Sequence, residues 1–249
     1  MIIIKETIYT IPVIEAIEAA GECPFCVMYD ALEDNAINFL MGPSVAYMEG
    51  DIRMQTNDVG FCKVHYKQLF DCKNRLGLGL MLHTHLKEIN RAFDRRIDDA
   101  AKQKKPLFKR LDKTELVELT QKLAASCFVC DMIEKSWPRY IETFFLLFEK
   151  EAEMREKVAG LSGFCLNHFA MLVEQAPKHL GSKEMSAFFE VIAPMQKAQL
   201  VRMEEELDWF VKKFDYRFAD EPWKTSKDAV ERALTKIASI TQKDKKGNI

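Results

Sequence analysis

An all-α fold is what this 249-residue sequence predicts: two tandem helical repeats, each stapled by three cysteines and one histidine, followed by a C-terminal helical tail. Three observations predict it. Apolar residues recur at helical spacing from Pro12 onward. A Cys-x-x-Cys pair and a Gly-Phe-Cys-x-x-His element each occur twice, in the same order. The one Ile- and Thr-rich stretch that reads as extended, residues 1–11, has no partner strand elsewhere.

Taking the elements in order, Ile14, Ile17 and Ala20 lead into the first cysteine pair. Val27 to Phe39 then carries Met28, Leu32, Ala36 and Phe39 on one stripe, and Gly42-Pro43 ends that helix. Residues 43–59 read as the least regular part of the first repeat, because Gly50, Asp51, Asn57 and Asp58 are turn formers; if this repeat binds anything specific, that loop is the place expected. The second repeat shows no comparable break, so Cys130 to Val158 reads as one long helix kinked at Trp137-Pro138. Long periodic stretches follow each Cys-x-x-His: Leu78 to Ala101, and Ser186 to Phe214 through Leu200, Met203, Leu207 and Phe210. The basic stretch around Pro106, residues 102–113, reads as a solvated linker. A tail helix from Ser226 to about Thr241 is expected to be capped by Ser226 and to show Val230, Leu234 and Ile237 on one face, with Trp223 pinning the tail to the body. The final KDKKGNI is expected to fray. The segments expected are therefore 12–101, 114–215 and 216–249.

The repeated elements carry the chemistry. Cys23-Pro-Phe-Cys26 precedes Gly60-Phe-Cys62-Lys-Val-His65, and Cys127-Phe-Val-Cys130 precedes Gly163-Phe-Cys165-Leu-Asn-His168. Thirty-five residues lie between Cys26 and Cys62, and thirty-four between Cys130 and Cys165. An aromatic follows each histidine (Tyr66, Phe169), and a leucine stands four residues after it (Leu69, Leu172). Two cysteines at i and i+3 can aim both sulfurs at one point from a turn entering a helix, and a Cys-x-x-His pair can do the same; two such halves close a tetrahedron around a metal ion. Each Gly-Phe-Cys is expected to open a helix, with Val64, Leu69 and Phe70, and Phe169, Leu172 and Val173, as its apolar positions. Because each repeat contains a complete set, sites are expected within repeats, Cys23, Cys26, Cys62 and His65 in one and Cys127, Cys130, Cys165 and His168 in the other; exchange of halves is the alternative. Two zinc ions are the first expectation and iron–sulfur clusters the second, since Cys3His serves both.

The remaining candidates are weaker. Cys72 is the unmatched thiol and reads as a small buried hydrophobe. His83 and His85, at i and i+2, point to different helix faces, are poorly placed to chelate together and read as surface or core histidines; His179 reads as a helix-terminus residue.

Composition narrows the function. A net charge of -2 and a pI near 6.3 supply no basic face for nucleic acid. No stretch approaches a membrane span, the N-terminus lacks a signal-peptide pattern, and unpaired cysteines suit a reducing, cytoplasmic compartment.

The motifs CPxC and GFCxxH, the second such set, the segment DIRMQTNDVGFCKVH and the tail DYRFADEPWKTSKDA together resemble a family of uncharacterised bacterial and archaeal proteins of similar length. The resemblance implies a zinc-type Cys/His protein and no particular activity; Cys127-Phe-Val-Cys130 departs from it in lacking the proline, which should not affect ligation. From the residues themselves, a metalloprotein scaffold for a protein partner is the leading expectation, because a closed four-ligand site leaves no coordination position for substrate. A metal- or thiol-based redox sensor or metal handler is the alternative, and an iron–sulfur protein or enzyme a further one. No catalytic residues are singled out, and self-association through the long helices rests on no motif.

Overall fold

The computed structural model describes residues 8–19, 21–102, 114–241 and 243, and among these it contains eleven α-helices and no strand. The helices are α1 (Thr10–Glu18), α2 (Pro24–Met41), α3 (Gly50–Val59), α4 (Lys63–Asp71), α5 (Arg75–Lys102), α6 (Thr114–Ala125), α7 (Phe128–Lys150), α8 (Ala152–Ala159), α9 (Leu166–His179), α10 (Ser182–Lys212) and α11 (Ala229–Ala238). The residues expected as an arm, linker and frayed end lie largely outside the described residues.

The chain forms two compact units, and they are not the tandem segments expected. One unit, inserted in sequence, is Leu32–Lys135; the other, split by it, is Met1–Ala31 with Ser136–Ile249. The boundaries fall inside α2 and inside α7, so each of these helices supplies its first turns to one unit and its later turns to the other. A local reading cannot see this, because one amphipathic helix can serve a different core along each part of its length.

In the inserted unit, the core gathers Ala36, Ile37, Leu40 and Met41 from α2, Leu69 from α4, Leu78 and Met81 from α5, and Phe128, Val129 and Ile133 from α7. The buried stripe of α2 runs on to Leu40, fully buried, and Met41, and leaves Phe39 exposed. Residues 50–59, expected as irregular, form α3. Its only buried residue is Thr56, so the apolar period that announces a helix is missing from its sequence. Polar bonds hold it instead: Arg53 donates to the Leu80 carbonyl at 3.3 Å and to Thr84 Oγ1 at 3.2 Å, and His85 Nδ1 lies 2.6 Å from the Asn57 carbonyl. His85 is thus a buried packing residue, whereas His83 is exposed.

The split unit is built on rings. Phe25 of α2, Phe144, Phe145 and Phe148 of α7, Phe164 and Phe188 are all nearly inaccessible, and their edge-to-face contacts, such as Phe25–Phe144 at 5.1 Å and Phe148–Phe188 at 5.0 Å, have the geometry the ring quadrupole favours. His179 ends α9 and stacks on Phe145. The expected single helix from Cys130 to Val158 is broken: α7 runs through Pro138, stops at Lys150, and α8 begins at Ala152.

The tail also departs from expectation. Ser226 is buried in the turn before α11, donating to the Trp223 carbonyl at 2.7 Å, and Asp228 occupies the N-cap. Val230, Leu234 and Ile237 face outward, and the buried face is Ala229, Ala233 and Lys236. Two alanines let the helix approach closely, and the lysine is drawn in by partners described below. Trp223 does pin the tail, packing on Phe210 and Phe214 of the α10 end.

Candidate metal centres

Each Gly-Phe-Cys element becomes a tight turn into a helix. Gly60 (φ 61°) and Gly163 (φ 94°) adopt left-handed backbone, a conformation glycine enters without a Cβ penalty. At Gly60 a Cβ would also collide with the His85 ring. Cys62 and Cys165 then occupy the N-cap positions of α4 and α9, which sets each histidine one turn into its helix on the cysteine's side. Of the expected apolar positions, Leu69 and Leu172 are fully buried, while Val64, Phe70 and Val173 are exposed, because His65 and His168 occupy part of the inward face. The Cys-x-x-Cys pairs sit at the starts of α2 and α7, with Pro24 at the first helical position, where its missing N–H goes unnoticed by the helix.

All eight cysteines and histidines singled out in sequence are brought into two clusters, but the halves are exchanged between the repeats. Cys23 and Cys26 meet Cys165 and His168; Cys62 and His65 meet Cys127 and Cys130. The four donor atoms of each group lie within 4.8 Å of one another, an arrangement that could hold a metal ion. The reason for the exchange is length. After Cys26, α2 carries the chain on to Met41, roughly 20 Å at 1.5 Å per residue, and only then does it turn toward Cys62. Each cluster lies wholly within one compact unit, the Cys23 centre in the split unit and the Cys62 centre in the inserted one.

The donor atoms face inward. In the Cys62 centre, His65 Nδ1 stands 3.2, 3.1 and 3.5 Å from the sulfurs of Cys62, Cys127 and Cys130. In the Cys23 centre, His168 Nδ1 stands 3.4, 3.5 and 3.1 Å from those of Cys23, Cys26 and Cys165, and the sulfurs of Cys26 and Cys165 are 3.7 Å apart. Sulfurs about 2.3 Å from one tetrahedral ion lie roughly 3.8 Å apart.

Crowding of like groups governs the protonation. Hydrogen bonds with Cys165 and Cys23, and burial, push the Cys26 thiol far up, while hydrogen bonds with Cys23 and Cys26 draw Cys165 down. Burial, together with the charge of Cys127, pushes Cys130 up; Cys127 itself goes down, burial opposing but the bond with His65 prevailing. Burial works to lower His65, yet Cys127 and Glu33 lift it to about 10, and Cys165 and Cys23 likewise lift His168 to about 9 against its burial. Protons and a metal ion would compete for these donors, so the affinity of such an ion would fall as pH falls.

The surroundings of the two centres differ. His65 Nε2 is 3.0 Å from Glu33 Oε1, a buried carboxylate that also accepts from Gln68 Nε2 at 2.9 Å; such a carboxylate fixes the imidazole tautomer and orientation. His168 instead packs against Phe25 and Trp137. At the Cys62 centre the two loops are joined directly: Phe128 N–H donates to the Gly60 carbonyl at 3.0 Å, and Ser126 Oγ to the Val59 carbonyl at 2.7 Å. The matching positions at the Cys23 centre are Pro24, which has no N–H, and Glu22, which has no hydroxyl. Lys236 of α11 supplies the donors there. Its Nζ, 1% exposed, donates to the Ser162 carbonyl at 2.5 Å and the Glu22 carbonyl at 2.7 Å, and pairs with the Glu22 carboxylate at 3.0 Å. Arg202 and Arg232 complete the charge balance around Glu22 and Glu206. One turn on, Ser239 Oγ lies 3.1 Å from Cys165 Sγ. Glu33, Lys236 and Ser239 were not singled out in sequence; the proline in one Cys-x-x-Cys pair and its absence from the other was the available signal.

Cys72 lies apart from both clusters. It caps α4, is exposed rather than buried, and its sulfur rests 3.3 Å from the Gln68 carbonyl. Beside the Cys62 centre, Phe61, Tyr66, Leu82, Leu86, Ile89 and Leu123 line an open cleft of about 520 Å³, to which residues 43–59 contribute nothing. No helix among the described residues is long and apolar enough to cross a membrane.

Neither the curated proteins nor the solved structures contain a match to this chain. One family profile does match, over residues 4–244, which include both clusters and the tail that braces one of them. The chain belongs to that family, described as a family of unknown function (DUF6062).

Proposed function

We propose that this chain is a metalloprotein binding one zinc ion in each Cys3His cluster, and that the ions act structurally, bracing a helical scaffold that engages a protein partner in the cytoplasm. The observation that carries the reading is the donor geometry. Three sulfurs and an imidazole nitrogen crowd within 4.8 Å in each cluster, and the 3.7 Å separation of the Cys26 and Cys165 sulfurs is that of ligands on a single tetrahedral ion. A multi-iron cluster, whose ligands sit on separate irons, needs wider spacing. Four protein ligands close the shell, which supports a structural rather than a catalytic ion. Each ion would tie the start of a long helix to a glycine turn from a distant part of the chain, and in the split unit would thereby hold together two segments that are not contiguous.

Elemental analysis and an absorption spectrum of protein purified without added metal test the reading. Two zinc ions per chain and a colourless solution are expected. Iron with acid-labile sulfide and a brown colour would replace zinc by clusters, and a chain that takes up no ion even when zinc is added would end the proposal.

A further inference from the structure

Resting on that metal reading, we infer that the Cys62 centre is an oxidisable site, at which a hydroperoxide converts two of the three cysteine ligands to a disulfide and expels the ion while the Cys23 centre stays loaded. The two clusters have the same ligands, so any difference in reactivity must come from access and surroundings, and these differ consistently.

Access comes first. Cys62 and Cys130 are partly exposed, whereas Cys23, Cys26 and Cys165 are all buried. The accessible ligand of the Cys23 centre is its histidine, which is not the oxidisable atom. Peroxide attacks sulfur directly, so susceptibility follows exposure and thiolate character. The surroundings act in the same direction. Ser239 lies within hydrogen-bond distance of Cys165 and the His168 backbone N–H donates to it, and donors reduce the electron density a sulfur offers an electrophile. At the Cys62 centre the backbone donors, from Cys62 and Cys130, fall on the buried Cys127, and the Glu33 carboxylate on His65 increases the negative charge of the assembly.

The chemistry balances without a further reagent. A thiolate of Cys130 or Cys62 attacks the peroxide O–O bond, forming a sulfenic acid and releasing hydroxide. A neighbouring thiolate of the same centre then displaces hydroxide from that sulfur, giving the disulfide. Two thiolates lose two electrons, hydrogen peroxide is reduced to two hydroxides (an organic hydroperoxide to one alkoxide and one hydroxide), and the centre would keep one cysteine and one histidine, too few ligands to hold a divalent ion.

Zinc-loaded full-length protein is titrated with hydrogen peroxide in the presence of a chromophoric zinc indicator, then denatured with chelator, alkylated and mapped by mass spectrometry. The expected result is release of one ion about ten-fold or more faster than the other, with two of Cys62, Cys127 and Cys130 protected from alkylation and Cys23, Cys26 and Cys165 fully alkylated. Thiol reductant with added zinc should restore the starting state, and Cys72→Ser should leave the fast phase unchanged. Release at one common rate, a first disulfide among Cys23, Cys26 and Cys165, or a first disulfide that includes Cys72 would each overturn the inference. A protein that holds two ions and keeps both under peroxide refutes this inference alone, whereas one that never held zinc refutes the metal reading beneath it.

Discussion

Glu33 is an acid on the inward face of α2, 3.0 Å from the outer nitrogen of His65 and steadied by Gln68. Sequence offered no reason to choose it among the other acids, because its role depends on a histidine thirty-two positions away that arrives only through folding. The eight sulfur and imidazole donors were different: their repeated spacing set them apart before any coordinates. Replacing Glu33 by Ala frees His65 to rotate and removes a partner of its N–H. Zinc affinity at the Cys62 centre should fall roughly 10- to 100-fold, with the Cys23 centre unchanged, as read by competition against a chromophoric chelator. Equal affinities at the two centres in that variant would remove Glu33 from the support of His65.

Among the elements, α11 was expected but read three residues too long at each end and with the wrong face inward. Its aliphatic stripe, Val230, Leu234 and Ile237, looked like the buried one, but the pattern cannot disclose that a lysine has a carboxylate and two carbonyls waiting for it. The helix α3 was missed for the converse reason, since it is anchored by polar bonds and hardly contributes to the core. The helices opened by Gly-Phe-Cys were legible because a glycine turn precedes apolar residues at helical spacing, although of those residues only Leu69 and Leu172 are fully buried. Lys236→Met keeps the volume of the side chain while removing its three interactions around Glu22 and Ser162. The variant should lose on the order of 3 kcal/mol of stability, and its Cys23 centre should release zinc to a chelator more readily than wild type, the Cys62 centre being unaffected. Stability and metal retention both at the wild-type level would show that α11 is not the brace described.

At the scale of the whole molecule, helix content and the set of eight clustered donors were readable, but neither their pairing into centres nor the partition of the chain was. Tandem segments are the simplest reading of a repeated motif. What defeats it is that α2 and α7 are long enough to begin in one core and end in another, a property of three-dimensional packing that no window of sequence reports. The consequence can be checked with two fragments. Residues 32–135 contain Cys62, His65, Cys127 and Cys130 and should bind one zinc ion tightly. Residues 12–101 contain the complete set of the first repeat, Cys23, Cys26, Cys62 and His65, and should bind it poorly, because those halves belong to different centres. Equal, tight binding by the second fragment would restore the tandem pairing. The cysteine and histidine that meet in the inserted unit, His65 and Cys127, are 62 positions apart, against 139 for Cys26 and Cys165 in the split unit.

That nesting imposes an order on biosynthesis. As the chain leaves the ribosome, Cys23 and Cys26 emerge first yet find no mates; every ligand of the inserted unit is translated before Cys165 and His168 appear. The earliest thiols are thus the last to be quenched, and the nascent polypeptide passes through a stage in which one ion can already be seated while an unclaimed dithiol waits at its leading end.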